Sequence, residues 1–234
     1  MPANPKDDLP LRSRRRRACA LLVTVATAVL VSGCSSSDDW SQPHAKPTAV
    51  GALGPGFVDP KAPPAPEATI RPRPGSWDGV NPSKGYRVVL LSAGEDRPTT
   101  TLVGAVTRWA EQEHVSLKTV SAKDPGQFIS SITRAMDLAP DLVISVGNDL
   151  VDSLALVTPN HLDQHFLVIG AEVAEPTENV TAADWTGASF RGEGLGMPSA
   201  YDPATFTHER ATRAVRAGVA AVLNDLTGIV VQLD

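Results

Sequence analysis

The stretch that decides the fold is DLVISVGNDLVDSLALVTPNHLDQHFLVIG, residues 141–170. It begins with an apolar run of strand length (141–147), continues as a short helical pattern that Pro159 interrupts (149–160), and ends in a second apolar run (165–170). Such continuous apolar runs are typical of strands buried on both faces of a parallel sheet. The order strand, helix, strand therefore predicts two parallel strands joined by a helical crossover.

The same alternation continues on both sides of this stretch. Upstream, two strand-like runs each precede a helical pattern: YRVVLL (86–91), a helix over 100–114, VSLKTV (115–120) and a helix over 125–140. Downstream, NVTAADW (179–185) predicts a weaker strand, and a helix capped by Thr207 leads to a last strand, IVVQL (229–233). We expect an α/β fold, a three-layer sandwich around a mainly parallel, flavodoxin-like sheet, formed by one domain over 85–234.

The amino-terminal sequence has the pattern of an export signal. Five arginines lie between Arg12 and Arg17, and sixteen mostly apolar residues (18–33) precede Cys34. A helix of sixteen residues is about 24 Å long, short of the ~30 Å hydrocarbon core, which favours a signal over a permanent span. VSGC (31–34) resembles a bacterial lipobox, which predicts that Cys34 is the first mature residue and carries lipid.

Lipidation would hold the chain at the extracytoplasmic face of the cell membrane. The alternative is an ordinary signal or an uncleaved anchor in which Cys34 is incidental. The basic run also leaves two export routes open, the general secretory route and twin-arginine export.

The charge of the remaining chain excludes one class of partner. Of 21 Lys and Arg and 26 Asp and Glu, residues 1–33 hold six and two, which leaves 15 basic and 24 acidic residues and a formal net charge of −9. Nucleic-acid binding needs clustered basic residues, so we do not expect it. Cys19 and Cys34 are the only cysteines, and no disulfide or cysteine metal site is expected.

Residues 34–84 are dense in Pro, Gly and Ser and lack helical or strand periodicity. This composition predicts a disordered, semi-rigid tether. Its large apolar residues can either pack on the domain or remain in solvent, and we expect most of them to be solvated: Trp40, Phe57, Ile70 and Trp77. His44 is a single histidine without metal-ligand spacing.

Residues 141–185 resemble the first lobe of the basic membrane protein family, the lipoprotein solute-binding components of nucleoside-type ABC importers. The resemblance extends over about 100 residues, 86–185, and implies a type I periplasmic-binding-protein fold, a small ligand and an ABC permease as partner. It is carried by a glycine ending a strand, a proline and phenylalanine before the next strand, and an Asn-Val opening the following one: Gly147, Pro159, Phe166 and Asn179-Val180.

Two departures limit what the resemblance implies. The first loop, SAGEDRPTTT (92–101), offers no aromatic ring to stack on a base, and Gly170 stands where the family has an aspartate suited to a ribose. After Trp185 only 49 residues remain, too few for a second lobe. We therefore expect a single lobe without nucleoside specificity.

Ligands of open parallel sheets bind beyond the carboxyl ends of the strands. This edge is acidic, which suits a polyol, a cation or a basic peptide better than a phosphate. Alternatively, Asp149 only caps the next helix and Asn148 only takes a left-handed turn. The candidate ligand-binding residues are Ser92, Gly94, Glu95, Asp96, Arg97, Gly147, Asn148, Asp149, Gly170 and Glu172.

A glycine-rich segment, residues 187–206, follows the weak strand; we call it the Gly-rich loop. Its glycines have the spacing G-x-G-x-G, which is not a dinucleotide fingerprint. Either it covers the strand edge as a lid or partner surface, or it bridges the missing lobe. Its candidate contact residues are Arg191, Glu193, Tyr201 and Asp202.

Signatures of catalysis are weak in this sequence. It has no G-x-S-x-G elbow, Walker loop or H-E-x-x-H pair, and its histidines are not paired. We expect neither an enzyme nor a cofactor. Two hypotheses remain: a solute-binding lipoprotein for a small polar ligand, and an envelope lipoprotein whose degenerate lobe makes protein contacts.

Overall fold

The computed structural model describes residues 39–234, so the predicted signal and Cys34 lie outside the described residues. From Arg87 onward the helices and strands follow the predicted order. The strands are β1 (Ala49–Gly51), β2 (Thr69–Ile70), β3 (Val80–Pro82), β4 (Arg87–Ala93), β5 (Ser116–Ala122), β6 (Leu142–Val146), β7 (Phe166–Ile169), β8 (Val180–Trp185) and β9 (Val230–Leu233). The helices are α1 (Arg97–Gln112), α2 (Phe128–Asp137), α3 (Val151–Val157) and α4 (His208–Leu223).

Seven strands form one sheet in the order β2-β9-β8-β7-β6-β4-β5, and every neighbouring pair is parallel. Strands β1 and β3 form a separate antiparallel pair. The α/β class is therefore confirmed, and β9 returns to the main sheet as predicted. Because parallel strands point the same way, their carboxyl ends share one edge, which we call the carboxyl edge.

Alternate residues of the strands pack into two different cores. On one face Leu90 and Ile144 pack with side chains of α1 and α4 such as Leu102 and Val215. On the other face Val89 packs with residues of α2 and α3. The sheet thus lies between two helical layers, the predicted three-layer sandwich.

Side-chain caps fix where the two longest helices begin. The Asp96 carboxylate accepts a hydrogen bond from the Thr99 backbone N–H at 3.0 Å, and Pro98 occupies the first turn of α1. The Thr207 hydroxyl accepts from the Arg210 N–H at 3.3 Å at the start of α4, as predicted. Within residues 39–234, no helix is long and apolar enough to cross a bilayer.

The described part of the expected tether, 39–84, packs on the domain, so that expectation was wrong there. Phe57 and Trp77 are only 2% and 3% exposed, and Trp40 is also buried. Strand β2 pairs with β9 at the edge of the sheet. Proline restricts the backbone but leaves neighbouring apolar side chains free to bury, and burial removes their surface from water.

Residues 39–44 are bound to the opposite, amino-terminal edge of the sheet by a group of contacts that we call the clasp. The Arg87 guanidinium donates to the backbone carbonyls of Asp39, Trp40 and Gln42 at 2.9–3.3 Å. The Trp40 indole N–H donates to Ser116 Oγ at 2.8 Å. His44 Nε2 lies 2.8 Å from both carboxylate oxygens of Asp141. The clasp joins the start of the described chain to β4, β5 and the residue before β6.

Candidate functional site

A cavity of about 630 Å³ opens at the carboxyl edge beside the ends of β4, β5 and β6. We call it the acidic cleft, because four of its lining residues are acidic and only Lys123 is basic. The phenyl rings of Phe128 and Phe190 supply its apolar walls. The acidic residues are Asp124, Asp149, Asp152 and Glu193.

Two carboxylates converge near Gly94, which lines this cleft. A Cβ at Gly94 would lie 3.0 Å from Asp149 Oδ2 and 3.4 Å from Asp96 Oδ2. Burial raises the pKa of Asp149, and the charge of Asp96 raises it further. Burial and the charges of Asp96 and Asp149 raise the pKa of Tyr201. Tyr201, a residue of the Gly-rich loop, therefore lies near these two carboxylates.

Asp96 and Asp149 differ in the hydrogen bonds that their carboxylates accept. Asp96 accepts from the N–H and the hydroxyl of Thr99, at 3.0 and 2.8 Å. Asp149 accepts no hydrogen bond from residues 39–234, and α3 begins without a side-chain cap. The Asp149 carboxylate therefore does not cap α3.

Asn148 also faces this cleft, and its buried Oδ1 has no hydrogen-bond partner within residues 39–234. The left-handed position is taken by Gly147, with φ 81°, rather than by Asn148. Asn148 Oδ1 and the Asp149 carboxylate thus both offer acceptors to a ligand.

Three further predicted residues at the first strand end do not line the cleft. Ser92 lies inside the sheet, where its hydroxyl is 3.2 Å from Ser121 Oγ. Glu95 and Arg97 are exposed at the start of α1. A parallel sheet places the strand ends together but does not aim each side chain at one point.

The remaining predicted edge residues lie beneath the Gly-rich loop. A Cβ at Gly170 would lie 2.9 Å from Phe206 Cε1, so this loop residue closes directly over it. Glu172 is 1% exposed, and its Oε1 lies 3.3 Å from Arg191 Nε in an ion pair without hydrogen-bond geometry. Burial raises the pKa of Glu172, and Arg191 opposes that shift.

Hydrogen bonds hold the Gly-rich loop to its neighbours. Phe190 accepts at its carbonyl from the Glu172 N–H at 2.8 Å, and the Glu193 N–H donates to the Asp152 carboxylate at 3.2 Å. Asp202 accepts from the Ala204 N–H at 2.9 Å and so caps a short turn. Tyr201 packs against Phe206 with ring centroids 5.7 Å apart.

Under this loop lies a second cavity of about 300 Å³, which we call the roofed pocket. Its floor contains Asp184 of β8 and Gln232 of β9, which are neighbours in the sheet register. Thr69 and Arg71 form one side, and Pro198 and Ser199 belong to the roof. Glu172 also lines it, so the predicted edge residues divide between two cavities.

Asp184 is the residue that the sequence analysis missed. It is 1% exposed, and burial raises its pKa to about 8, with a further increase from the charge of Glu172. The signal was present as the single charged residue in the buried strand VTAADW. Among residues 39–234, no group of three or more His, Cys, Asp or Glu side chains is placed to hold a metal ion.

No family model and no curated protein matches this chain. Among solved structures, a fragment of a "putative lipoprotein" from Peptoclostridium difficile 630 is 17% identical with a TM-score of 0.43, over 59% of this chain and 98% of that one. An ABC transporter system solute-binding protein from Aeropyrum pernix K1 is 20% identical with a TM-score of 0.39, over 43% of this chain and 29% of that one. This chain therefore matches less than a third of the Aeropyrum protein's length.

A periplasmic ribose ABC transporter structure from Conexibacter woesei DSM 14684 is 13% identical with a TM-score of 0.36, over 64% of this chain and 54% of that one. The structural neighbours thus include ABC transporter solute-binding proteins at low identity. None of the comparisons identifies the basic membrane protein family.

Proposed function

We propose that this chain is an extracytoplasmic, lipid-anchored protein of the solute-binding kind, and that its acidic cleft binds a small polar ligand. The supporting observation is a cavity of about 630 Å³ at the carboxyl edge, a size within the roughly 300–1,000 Å³ typical of small-molecule sites. Ligands of open parallel sheets bind at this edge. This location of the cleft supports the proposal.

The chemistry of the cleft favours a ligand that donates hydrogen bonds. Asp149 and Asn148 Oδ1 offer acceptors without partners among the described residues. Four acidic residues against one lysine disfavour phosphates and other anions and favour amines and polyols. The rings of Phe128 and Phe190 suit the apolar carbon skeleton of such a molecule.

The resemblance of residues 86–185 to the basic membrane protein family supports an ABC permease as the partner. In this proposal the ligand reaches the acidic cleft of the described residues directly from solvent.

A ligand screen by thermal shift tests the proposal. Residues 36–234 form one compact unit and include every described element, so this fragment is suited to the screen. The panel contains nucleosides, sugars, amino acids, polyamines and metal ions. A ligand that binds only the native state raises the melting temperature. We expect a donor-rich organic compound to do so.

Two variants of equal charge locate the binding. Asp149→Asn removes a carboxylate from the cleft and should weaken binding about tenfold or more, because a charge-assisted hydrogen bond is lost. Asp137→Asn removes an exposed carboxylate at the end of α2 and should leave the affinity unchanged. A panel without any stabilising compound, or equal affinities in both variants, would reject the acidic cleft as the site.

Lipid anchoring is tested by labelling cells with radioactive palmitate. The label should be lost from Cys34→Ala and retained by Cys19→Ala, which changes the chain's other cysteine. Label that persists in Cys34→Ala would overturn Cys34 as the anchor.

A second candidate function, protein contact, is favoured by apolar side chains on the Gly-rich loop. Leu195, Met197 and Tyr201 are 53%, 41% and 40% exposed. A photo-crosslinking amino acid at Leu195 should then form an adduct of defined mass in cells. The same group at Ile129, an equally exposed apolar residue of α2, should not.

A further inference from the structure

The roofed pocket is separate from the acidic cleft. The two cavities share no lining residue, and the roofed pocket is formed by β2, β8, β9 and the Gly-rich loop. An inference about it therefore goes beyond the proposed function.

The polar atoms without partners in this pocket are acceptors. Asp184 Oδ1 and Gln232 Oε1 are buried and accept no hydrogen bond from residues 39–234. Glu172 Oε1 has only the 3.3 Å ion pair with Arg191. A buried carboxyl without a hydrogen bond is costly to the folded state, and a bound donor would remove that cost.

The distribution of charge identifies the kind of donor. Arg191 is opposite Glu172, and the exposed Arg71 forms no hydrogen bond or ion pair within the described residues. Asp184 is thus the buried acid without a direct cationic partner. A divalent metal suits the pocket poorly, since among the described residues only Asp184 and Glu172 are acidic residues that line it.

We propose that the roofed pocket is a second binding site, which takes a small molecule with a primary ammonium group that donates hydrogen bonds to Asp184. An ammonium group has three N–H donors and no acceptor, which matches a pocket whose unpartnered atoms are acceptors. The cavity of about 300 Å³ limits the ligand to a compact molecule.

Proton release accompanies this binding. Burial raises the pKa of Asp184 to about 8. The charge of Glu172 also raises this pKa, and the charges of Arg191 and Arg71 lower it. An ammonium group beside Asp184 favours the ionised carboxylate, so binding expels the proton. The affinity therefore rises with pH, by at most about tenfold per pH unit below pH 8.

The test uses residues 36–234 and a matched set of four-carbon probes in isothermal titration calorimetry. 4-Aminobutan-1-ol and putrescine carry the ammonium group, and butane-1,4-diol replaces it with a hydroxyl. We expect the amines to bind at least tenfold more tightly than the diol. Binding of 4-aminobutan-1-ol should strengthen between pH 6 and pH 8.

Three variants with one carboxylate neutralised separate this site from the acidic cleft. Asp184→Asn should abolish the pH-dependent binding of 4-aminobutan-1-ol at the roofed pocket and leave at most the binding of amines in the acidic cleft. Asp149→Asn and Asp137→Asn should retain the pH-dependent binding. Loss of binding in Asp149→Asn alone would assign the amine to the acidic cleft, which supports the proposed function and overturns the second site. Absence of amine binding to the unmodified fragment would also overturn it.

A folding control keeps the outcome interpretable. Asp184→Asn preserves the size of the side chain and removes a buried ionisable group, so its melting temperature should equal or exceed that of the unmodified fragment. If it does not fold, proton release measured in two buffers of different ionisation enthalpy decides the question with the unmodified fragment. Release of about one proton per amine at pH 7 supports the site, and no release overturns it.

Discussion

The two halves of the carboxyl edge differ in how far their acidic residues are buried. Beside β4, β5 and β6 the acidic cleft is open, and Asp149 lies near Asp96 within reach of solvent. Beneath the Gly-rich loop, Asp184 is 1% exposed in the roofed pocket. Burial raises the pKa of both aspartates, and it raises that of Asp184 to about 8.

The difference arises from what covers each part of the sheet. Helix α4 packs on β7, β8 and β9 on one face. On the opposite face, the residues around Asp184 and Gln232 include Pro198 and Ser199 of the Gly-rich loop. A cavity of about 300 Å³ with unsatisfied polar atoms remains between this loop and the strands. A loop that covers a strand end can thus create a buried site.

Removing residues 39–84 should cause the largest loss of stability. These residues also supply Thr69 and Arg71 to the roofed pocket, whereas they supply no lining residue to the acidic cleft. The deletion also removes buried Trp40, Phe57 and Trp77. Truncating one buried aromatic residue costs about 3–5 kcal/mol, and whole domains have only about 5–15 kcal/mol of stability. We expect 85–234 to lack a cooperative unfolding transition in urea, in contrast to 36–234. Equal midpoints for both fragments would restore the tether hypothesis.

Asp184→Asn should change the pH dependence of stability. The pKa of Asp184 rises from 3.8 in the unfolded chain to about 8 in the folded state, so the folded state binds this proton more tightly. Its contribution to the free energy of unfolding therefore decreases as pH rises from about 4 to about 8. We expect the variant to exceed the unmodified protein by a few kcal/mol at pH 9 and to match it at pH 4. The free energy of unfolding of both proteins is measured with urea across this pH range. A constant difference between them would contradict the raised pKa of Asp184.

Gly170→Ala tests how closely the Gly-rich loop covers the edge. Gly170 has φ 76°, and an added Cβ would lie 2.9 Å from Phe206 Cε1 and 3.0 Å from Leu102 Cδ1. Backbone strain and overpacking together should cost about 2–4 kcal/mol. Gly194→Ala is the matched control: its φ is 74°, but nothing lies within 4 Å of its Cβ, and strain alone should cost about 1 kcal/mol. The free energy of unfolding of both variants is measured by chemical denaturation. Equal losses would show that the Gly-rich loop does not pack tightly against Gly170.

Asp149→Asn should have the smallest effect on stability. Asp149 accepts no hydrogen bond from the described residues, and its raised pKa shows that the ionised form is disfavoured in the folded state. We expect the variant to be slightly more stable at pH 7, by less than about 1 kcal/mol, since its surroundings are partly solvated. The same urea measurement at pH 7 checks this. A large loss of stability would give Asp149 a structural role.

Most of the fold could be predicted from hydrophobic periodicity. The apolar runs that became β4, β6 and β7 are buried along their length, and the Thr207 cap and its helix were found from local residues. These signals are local, because a buried parallel strand is apolar at every position. Strand β2 gave no such signal: it has two residues, Thr69 and Ile70, and depends on β9 for its hydrogen bonds.

The candidate site was only partly predictable. Parallel topology correctly brought Asp96 and Asp149 to one edge, since both follow strand ends. It did not reveal that Glu172 would be covered by Arg191, because the path of a glycine-rich loop is not encoded by periodicity. Asp184 was missed since its importance depends on burial beneath that loop.

The clasp determines how far the domain would reach from a bilayer. If Cys34 carries acyl chains, five peptide steps separate it from Asp39, a span of at most about 18 Å when fully extended. Arg87, Ser116 and Asp141 then keep the amino-terminal edge of the sheet close to the lipid headgroups. The acidic cleft and the roofed pocket both lie at the carboxyl edge, which is the edge of the sheet opposite the clasp.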